Sequence, residues 1–355
     1  MPGSRTENSH ERSVEPSVAE HRSPPPPGTG SSVEPSVDPS PPLSKAERNG
    51  VALCLSGGGL RAALFHLGAL RRLDELEILG RLWTISSISG GTIAAAHLAT
   101  RISWPVAGRT ADWEDRVAVP FRAFAREGAR ARSILSRLFS RETGSATDVA
   151  ALTEIFERRL TPLTRRHLPH LPHFVFPGLD PGESLARTVA AAVASSGPIL
   201  DHLAIEPVWR NHETLLVSDG GALFEPEAPM EREARALRKR WLIASYKSGA
   251  LKGTYWGIEG ARFRYDPSAR PGYSKELVKR VLPAIHSNMD PISDAAAAVL
   301  ENHGYLLADI AVRTHLPDLG ARPPSPLTIP HPDWMDEVRV QEALVNSRWR
   351  LFDRS

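Results

Sequence analysis

The stretch VALCLSGGGLRAALFHLGALRRL, residues 51–73, determines the class of fold. Its apolar run Val51–Leu55 stops at three glycines, and leucines and alanines then recur at helical spacing, which is typical of a strand, a glycine loop and a helix. A second such unit follows, with a strand over Leu82–Ile88, the turn Ser89-Gly90-Gly91 and a helix over Thr92–Thr100. Two successive units predict an α/β fold with a mainly parallel central sheet between layers of helices.

The rest of the chain adds elements to this core. Weak periodicity over residues 103–183 predicts an insertion that covers the functional edge of the sheet, within one domain of residues 48–315. Residues 316–355 form a C-terminal extension. The further predicted elements are helices at Leu185–Ser196, Lys275–Leu282, Ile292–Asn302 and Trp334–Asn346, and strands at Leu215–Ser218 and Trp241–Tyr246.

Residues 1–47 differ from the rest in composition. They hold 10 Pro and 10 Ser and no Phe, Trp or Tyr. Such a segment cannot bury enough apolar surface to offset the entropy of ordering, so it is predicted to be a disordered tail.

Charge and cysteine content limit the classes of function. With 43 Lys and Arg against 41 Asp and Glu, the chain lacks the large basic excess that is typical of a protein with a nucleic acid partner. The single cysteine, Cys54, cannot form an intramolecular disulfide, which favours a reducing, cytosolic setting. No segment reaches the ~18 to 20 apolar residues that span a bilayer. We therefore expect a cytoplasmic protein that is at most peripheral at a membrane.

Three glycine-marked turns lie at the carboxyl ends of predicted strands, where open α/β sheets assemble their sites. Gly57, Gly58 and Gly59 have no side chains to block an anion, so their N–H groups and the following helix dipole could form an oxyanion hole. Arg61 would add positive charge beside it. An ordinary glycine-rich turn is the alternative, and no Gly-Lys-Ser or Gly-Lys-Thr ending indicates a phosphate loop.

The second and third turns carry reactive groups. Ser89 lies in a small-x-Ser-x-Gly pattern, in which a nucleophilic serine occupies a tight strand-to-helix turn. Ser86 and Ser87 are alternative hydroxyls, but they fall within the strand. Asp219 is followed by Gly220 and Gly221, which alone would indicate only a turn. Taken together, the three turns favour a serine hydrolase.

These motifs resemble those of the patatin-like phospholipase family. The similarity covers about residues 50–315 and rests on Ser56 to Arg61, Ser87 to Gly91 and Asp219 to Gly221 in the family's order. It implies a nucleophile at Ser89, a proton acceptor at Asp219 and an oxyanion hole at Gly57 to Gly59, supported by Arg61, Gly91, Gly220 and Gly221. The implied reaction is hydrolysis of phospholipid or lysophospholipid esters, with a lipid as substrate and without metal or organic cofactor.

Two residues depart from the usual family pattern. Ser87 stands where glycine is commoner, and Ala62 follows Arg61 where the family usually has glycine, which could narrow the approach of the loop to the helix. Two alternatives also stay open: a binding or regulatory module with weak catalysis, and an esterase with a Ser-His-Asp triad. For the triad, His66 and His97 lie on the two helices but are expected to pack or cap.

Two further sets of residues have side chains that could bind a ligand. His167, His170 and His173 lie among prolines and are better explained as a solvated loop than as a metal site. Residues 116–141 hold seven Arg and one acidic residue, with phenylalanines and leucines on another face. A cationic amphipathic helix of this kind could contact an anionic membrane, and a solvated basic face is the alternative.

Overall fold

A five-stranded parallel sheet lies at the centre of the fold. The computed structural model describes residues 47–126, 146–160, 168–177, 184–194, 201–221, 229–261, 271–282, 285 and 292–352, all within one compact unit. The strands are β1 (Val51–Leu55), β2 (Leu82–Ser87), β3 (His173–Val175), β4 (Thr214–Asp219) and β5 (Lys252–Gly257). Their order across the sheet is β3-β2-β1-β4-β5, and every neighbouring pair is parallel.

Helices connect and cover these strands. Parallel neighbours require crossover connections, which is why β1 and β2 are each followed directly by a helix. The α-helices are α1 (Gly59–Glu75), α2 (Gly90–Arg101), α3 (Val119–Arg126), α4 (Ala146–Leu160), α5 (Leu185–Ala194), α6 (Pro229–Lys247), α7 (Asp294–His315) and α8 (Glu337–Phe352). Short 3₁₀ or π turns occur at Leu79–Arg81, Glu114–Ala118, Leu277–Val281 and Pro332–Met335. The expected α/β architecture is therefore confirmed.

Alternating residues of β1 enter two different cores. Leu53 and Leu55 belong to the larger core, whose helical residues come mainly from α1, α2 and α7. Ala52 and Cys54 face the smaller core, which includes Leu242 of α6. Successive side chains of a strand point to opposite faces of the sheet, so β1 is buried on both sides. The sheet thus forms the middle of three layers.

The helices α1 and α7 cross at very short range. A Cβ atom on Gly68 would lie 1.9 Å from the carbonyl oxygen of Glu301, and one on Gly304 would lie 1.9 Å from that of Phe65. Each glycine therefore makes room for the backbone of the other helix. Further along the same contact, the fully buried Arg72 donates to Asp309 at 2.8 Å. Both features fix the position of α1 against the core.

One predicted strand is wrong. Trp241–Tyr246 lies within helix α6, and the strand of this region is β5, which follows it. A six-residue apolar run cannot by itself distinguish a buried strand from a helix. The preceding residues are rich in Glu, Ala, Arg and Leu, which are strong helix formers, and the helix continues through the run.

Other boundaries also differ from the expectation. Helix α7 continues to His315, beyond the predicted end at Asn302, and residues 275–282 form a short helix with a π turn. The region 103–183 supplies the edge strand β3, which begins at His173. Most of the predicted tail, residues 1–46, lies outside the described residues, as do residues 127–145 of the basic stretch.

Candidate active site

Three strand ends meet at the centre of the sheet. β1 lies between β2 and β4, and Leu55 is in register with Ser87 on one side and with Ser218 on the other. The turns that follow these strands therefore begin at the same level. This placement brings the glycine loop, Ser89 and Asp219 to one edge of the sheet, although more than 100 residues separate Ser89 from Asp219 in the sequence.

Ser89 occupies a strained turn between β2 and α2. Its backbone dihedral angles are φ 48° and ψ −118°, and its side chain is nearly buried. A positive φ is uncommon for a residue other than glycine and often marks a functional turn. Both neighbouring glycines are required, because a Cβ on Gly90 or on Gly91 would lie 2.2 Å from the carbonyl oxygen of Gly59 or of Leu55, respectively.

The alternative hydroxyls lie elsewhere. Ser86 and Ser87 are buried within β2, and the Ser87 hydroxyl donates to Thr92 at 3.4 Å. Only Ser89 of the three lies on the turn beyond the strand. Ser87 therefore fits its place as a small buried residue, and its difference from glycine does not disturb the turn.

The glycine loop contacts both reactive turns. A Cβ on Gly57 would lie 3.3 Å from Cβ of Ser89, and a Cβ on Gly58 would lie 3.1 Å from the carbonyl oxygen of Gly220. The N–H of Gly57 donates to the carbonyl of His202 at 3.2 Å. Within the described part of the chain, the N–H groups of Gly58 and Gly59 have no hydrogen-bond acceptor. Amides without an acceptor at the start of a helix such as α1 could bind an anion.

Both oxygens of Asp219 are held by hydrogen bonds. Oδ2 accepts from the hydroxyl of Tyr255 at 2.6 Å, and Oδ1 accepts from the N–H of Gly221 at 3.1 Å. The side chain of Asp219 is 5% exposed. Tyr255 was missed by the sequence analysis, because no motif surrounds it and β5 itself was not predicted. Its contact arises only when β5 pairs with β4.

Of the remaining supporting residues, Gly220 packs against α1, whereas Arg61 contacts a distant segment. Gly220 has no side chain because Ala62 lies against it: a Cβ there would be 2.6 Å from Cα of Ala62. Ala62, which stands where the family usually has glycine, is thus accommodated because the residue that faces it is itself a glycine. Arg61 is buried and donates from Nη1 to the carbonyl of Ile285 at 3.1 Å.

A buried network of hydrogen bonds joins the turns that follow β1 and β4. The Ser56 hydroxyl oxygen accepts from the N–H groups of Gly220 and Gly221, at 2.8 and 3.2 Å. His66 contacts the Ser56 carbonyl through Nε2 at 3.0 Å and the Ser218 hydroxyl through Nδ1 at 2.8 Å. A carbonyl can only accept, so Nε2 carries the proton and Nδ1 accepts. His66 thereby links the ends of β1 and β4.

Among the described histidines, His202 has the surroundings that best suit the base of a Ser-His-Asp triad. His202 is 6% exposed, and its Nδ1 has no hydrogen-bond partner within the described residues. Burial lowers the pKa of His202 to about 4, and the negative charge of Asp219 acts in the opposite direction. His66 and His97, by contrast, are engaged with Ser56, Ser218 and the Val117 carbonyl. They pack as the sequence analysis expected.

Stability is expected to fall as the pH is lowered from about 7.5 to 5. Burial lowers the pKa of each of four histidines from 6.5 to about 4, so the unfolded chain takes up protons that the folded chain does not. These are His66, His97, His202 and His303. Above about pH 6.5 these histidines do not lower the free energy of unfolding. Below that pH, each of them lowers it by on the order of 1 kcal/mol per pH unit. Burial raises the pKa of Asp201 to about 6, which opposes part of this loss.

Urea denaturation at several pH values measures this dependence. Replacement of the buried His303 by Gln should lower by about one the number of protons that the chain takes up on unfolding in this pH range. A stability that is constant from pH 7.5 to 5 would contradict the prediction.

The other predicted binding residues do not converge on a site. His170 and His173 are exposed, with His173 at the start of β3, and His167 lies outside the described residues. Among the described residues, no group of three His, Cys, Asp or Glu could hold a metal ion.

Of the basic stretch, Arg122 pairs with Glu301 at 3.0 Å and also with Glu114, and Arg126 pairs with Asp294. No described helix has the length and apolar character needed to cross a bilayer.

The fold and the site define a class of α/β proteins in which a glycine loop contacts both a serine on a strained strand-to-helix turn and the turn that carries a carboxylate. Residues 53–227, just under half of the chain, match the model of the family described as patatin-like phospholipase. The chain therefore contains a patatin-like domain, of a family of lipid acyl hydrolases. The matched region contains Gly57 to Gly59, Ser89 and Asp219. A search of curated proteins finds no match.

Proposed function

We propose that this protein hydrolyses acyl esters of phospholipids or lysophospholipids through a Ser89 and Asp219 dyad. The observation that carries the proposal is the strained conformation of Ser89, at φ 48°, against the glycine loop that also contacts the Asp219 turn. Such a conformation is retained where the surrounding structure enforces it, and it places Ser89 at the start of a helix whose dipole favours negative charge.

In the first half of the reaction, Ser89 Oγ attacks the ester carbonyl and its proton passes to Asp219. The carbonyl oxygen becomes an oxyanion, which the N–H groups of Gly58 and Gly59 stabilise. When the carbon–oxygen bond breaks, the leaving alcohol or lysolipid takes the proton from Asp219. An acyl group then remains bound to Ser89 as an ester.

In the second half, water attacks this ester and gives a proton to Asp219. The fatty acid leaves, and the proton returns to Ser89. Tyr255 and the Gly221 N–H hold the two oxygens of Asp219 throughout, so the carboxylate does not need to reorient between steps. These reaction steps require neither a metal ion nor an organic cofactor.

A fluorophosphonate probe tests this proposal directly. We expect the wild-type protein to be labelled, with the modified peptide containing Ser89, and Ser89→Ala to lose labelling. The matched control is Ser87→Ala, which removes a buried hydroxyl of the neighbouring strand and should keep the label. Absence of labelling in folded wild-type protein would favour a binding module without useful catalysis, whereas labelling at another serine would place the nucleophile elsewhere.

The same preparations identify the substrate. Mixed lipid vesicles are incubated with the wild-type protein and with Ser89→Ala, and the released fatty acids and lysolipids are analysed by mass spectrometry. Release by the wild type alone supports the proposal. Equal release by the variant would indicate another nucleophile or a contaminant.

We also propose peripheral contact with membranes through residues 116–141. The net charge of this stretch supports the proposal, but the ion pairs of Arg122 and Arg126 partly neutralise it. The contact would therefore depend mainly on the five other arginines. Cosedimentation with anionic vesicles at low salt should be lost when these five are changed to Gln, and unchanged binding would refute the proposal.

A further inference from the structure

A cavity lies along β5, the strand that carries Tyr255. Its volume is about 810 Å³. The described residues that line it come from α6, from β5 and its flanking turns, and from the C-terminal end of α7. It thus extends along β5, from the end at Lys252 to the end at Gly257 that lies beside the Asp219 turn.

The charged part of the lining is mostly cationic. Three lysines line the cavity, and Glu259 is the only carboxylate among its described lining residues. Lys239 lies 3.6 Å from Glu259, and Lys252 lies 3.0 Å from Glu213. Lys247 is exposed and has no ion pair with any described residue. An anion that entered here would find at least one cation whose charge is not already balanced.

The rest of the wall is largely apolar. Leu251 and Leu316 are buried, and Ile243 and the ring of Tyr246 are half-buried beside them. The hydroxyl of Tyr246 donates to the carbonyl of Leu215, so its polar atom is occupied. A cavity with an apolar wall and a few cationic groups is suited to a ligand that has both an alkyl chain and an acidic head.

Tyr255 belongs to both sites. Its side chain lines this cavity, and its hydroxyl donates to Asp219 at 2.6 Å. Gly257 is necessary for this placement, since a Cβ there would lie 2.5 Å from the Tyr255 hydroxyl. The ammonium group of Lys239 lies 5.0 Å from the centre of the Tyr255 ring. A molecule in the cavity would therefore lie against a residue that holds the candidate catalytic carboxylate.

We propose that this cavity binds a single-chain amphiphile with an anionic head group, either a carboxylate or a phosphate monoester. The head would lie near Lys247 and Lys252, and the alkyl chain would lie against Leu251, Leu316 and the tyrosine rings. The chemical class follows from the lining of the cavity. That lipid hydrolysis supplies such a molecule, as a free fatty acid, rests on the proposed function.

Calorimetric titration of the full-length Ser89→Ala protein tests binding without turnover. Laurate and dodecyl phosphate are titrated below their micelle concentrations, with dodecyl maltoside, acetate and inorganic phosphate as comparisons. We expect one site for the anionic amphiphiles, and at least about tenfold weaker binding of the neutral amphiphile and of the head groups alone. Tighter binding of laurate would indicate a fatty acid as the natural ligand, and tighter binding of dodecyl phosphate a phosphorylated one.

Variants locate the site. Lys247→Gln should weaken binding of the anionic amphiphiles about tenfold, since it removes one charge-assisted contact. Lys279→Gln, which changes an exposed lysine outside the cavity, should have no effect. Equal binding by Lys247→Gln and its parent, or equal binding of dodecyl maltoside, would overturn the proposal. Because no turnover is involved, this failure is distinct from a failure of Ser89 to react with a fluorophosphonate.

Discussion

Replacement of Asp219 by Asn is expected to slow ester turnover about a thousandfold, the order of magnitude by which a positioned general base contributes. The amide keeps the size and shape of the carboxylate, and its oxygen can still accept one of the two hydrogen bonds from Tyr255 and Gly221. It cannot accept the proton of Ser89 at neutral pH. The folded structure should therefore survive while proton transfer fails.

Steady-state hydrolysis of a soluble ester measures the loss, and the unfolding curve of Asp219→Asn checks that the protein is folded. Tyr255→Phe is the matched control, because it removes one hydrogen bond to the same carboxylate but leaves the base in place. We expect a loss of about tenfold or less for Tyr255→Phe, in the range of one positioning hydrogen bond. Similar losses for both variants would mean that Asp219 acts structurally and not as the base.

The histidine alternative makes the opposite prediction. A triad base at His202 would be neutral at pH 7, as the lowered pKa of this residue indicates, and it could accept a proton. His202→Ala should then match the loss of Asp219→Asn. The dyad predicts only a modest effect, because the contact of His202 with the glycine loop is made by its backbone carbonyl, which the substitution keeps.

The parts of the site that the sequence predicted are local. In the β1-α1 and β2-α2 units, the strand, glycine turn and helix lie within about 25 consecutive residues. The glycines themselves mark the position of each turn in the sequence. The parallel sheet follows from repeating that unit. Spacing alone could therefore indicate that Ser89 and the Gly57 to Gly59 loop share one edge.

The parts that the sequence did not reveal depend on contacts between distant segments. Tyr255 reaches Asp219 only because β5 pairs with β4, and the residues around it carry no catalytic pattern. His66 looked like an ordinary helix residue, yet it contacts both Ser56 and Ser218, and Ser218 lies 152 positions further along the chain. Trp241–Tyr246 was misassigned because its composition fits a strand, while its neighbours in the sequence continue a helix.

The crossing of α1 and α7 is another such contact, and it gives the largest expected effect on stability. Gly68→Ala should lower the free energy of unfolding by about 3 kcal/mol or more, since overpacking against backbone is not relieved by a side-chain rotation. The new Cβ would start 1.9 Å from the carbonyl oxygen of Glu301. Without this clash, alanine would stabilise the helix by roughly 1 kcal/mol relative to glycine. The sign of the change in the free energy of unfolding therefore shows whether the clash occurs.

Urea denaturation of three variants tests the crossing. Gly304→Ala places its Cβ 1.9 Å from the carbonyl of Phe65 and should be destabilising to a similar degree. Arg240→Ala, at an exposed position of α6, should change stability by less than about 0.5 kcal/mol. Activity should fall together with stability in the glycine variants, because α1 begins at Gly59 and carries His66, and any displacement of this helix moves the glycine loop away from Ser89. An increase in stability for Gly68→Ala would show that the two helices do not approach as closely as this packing requires.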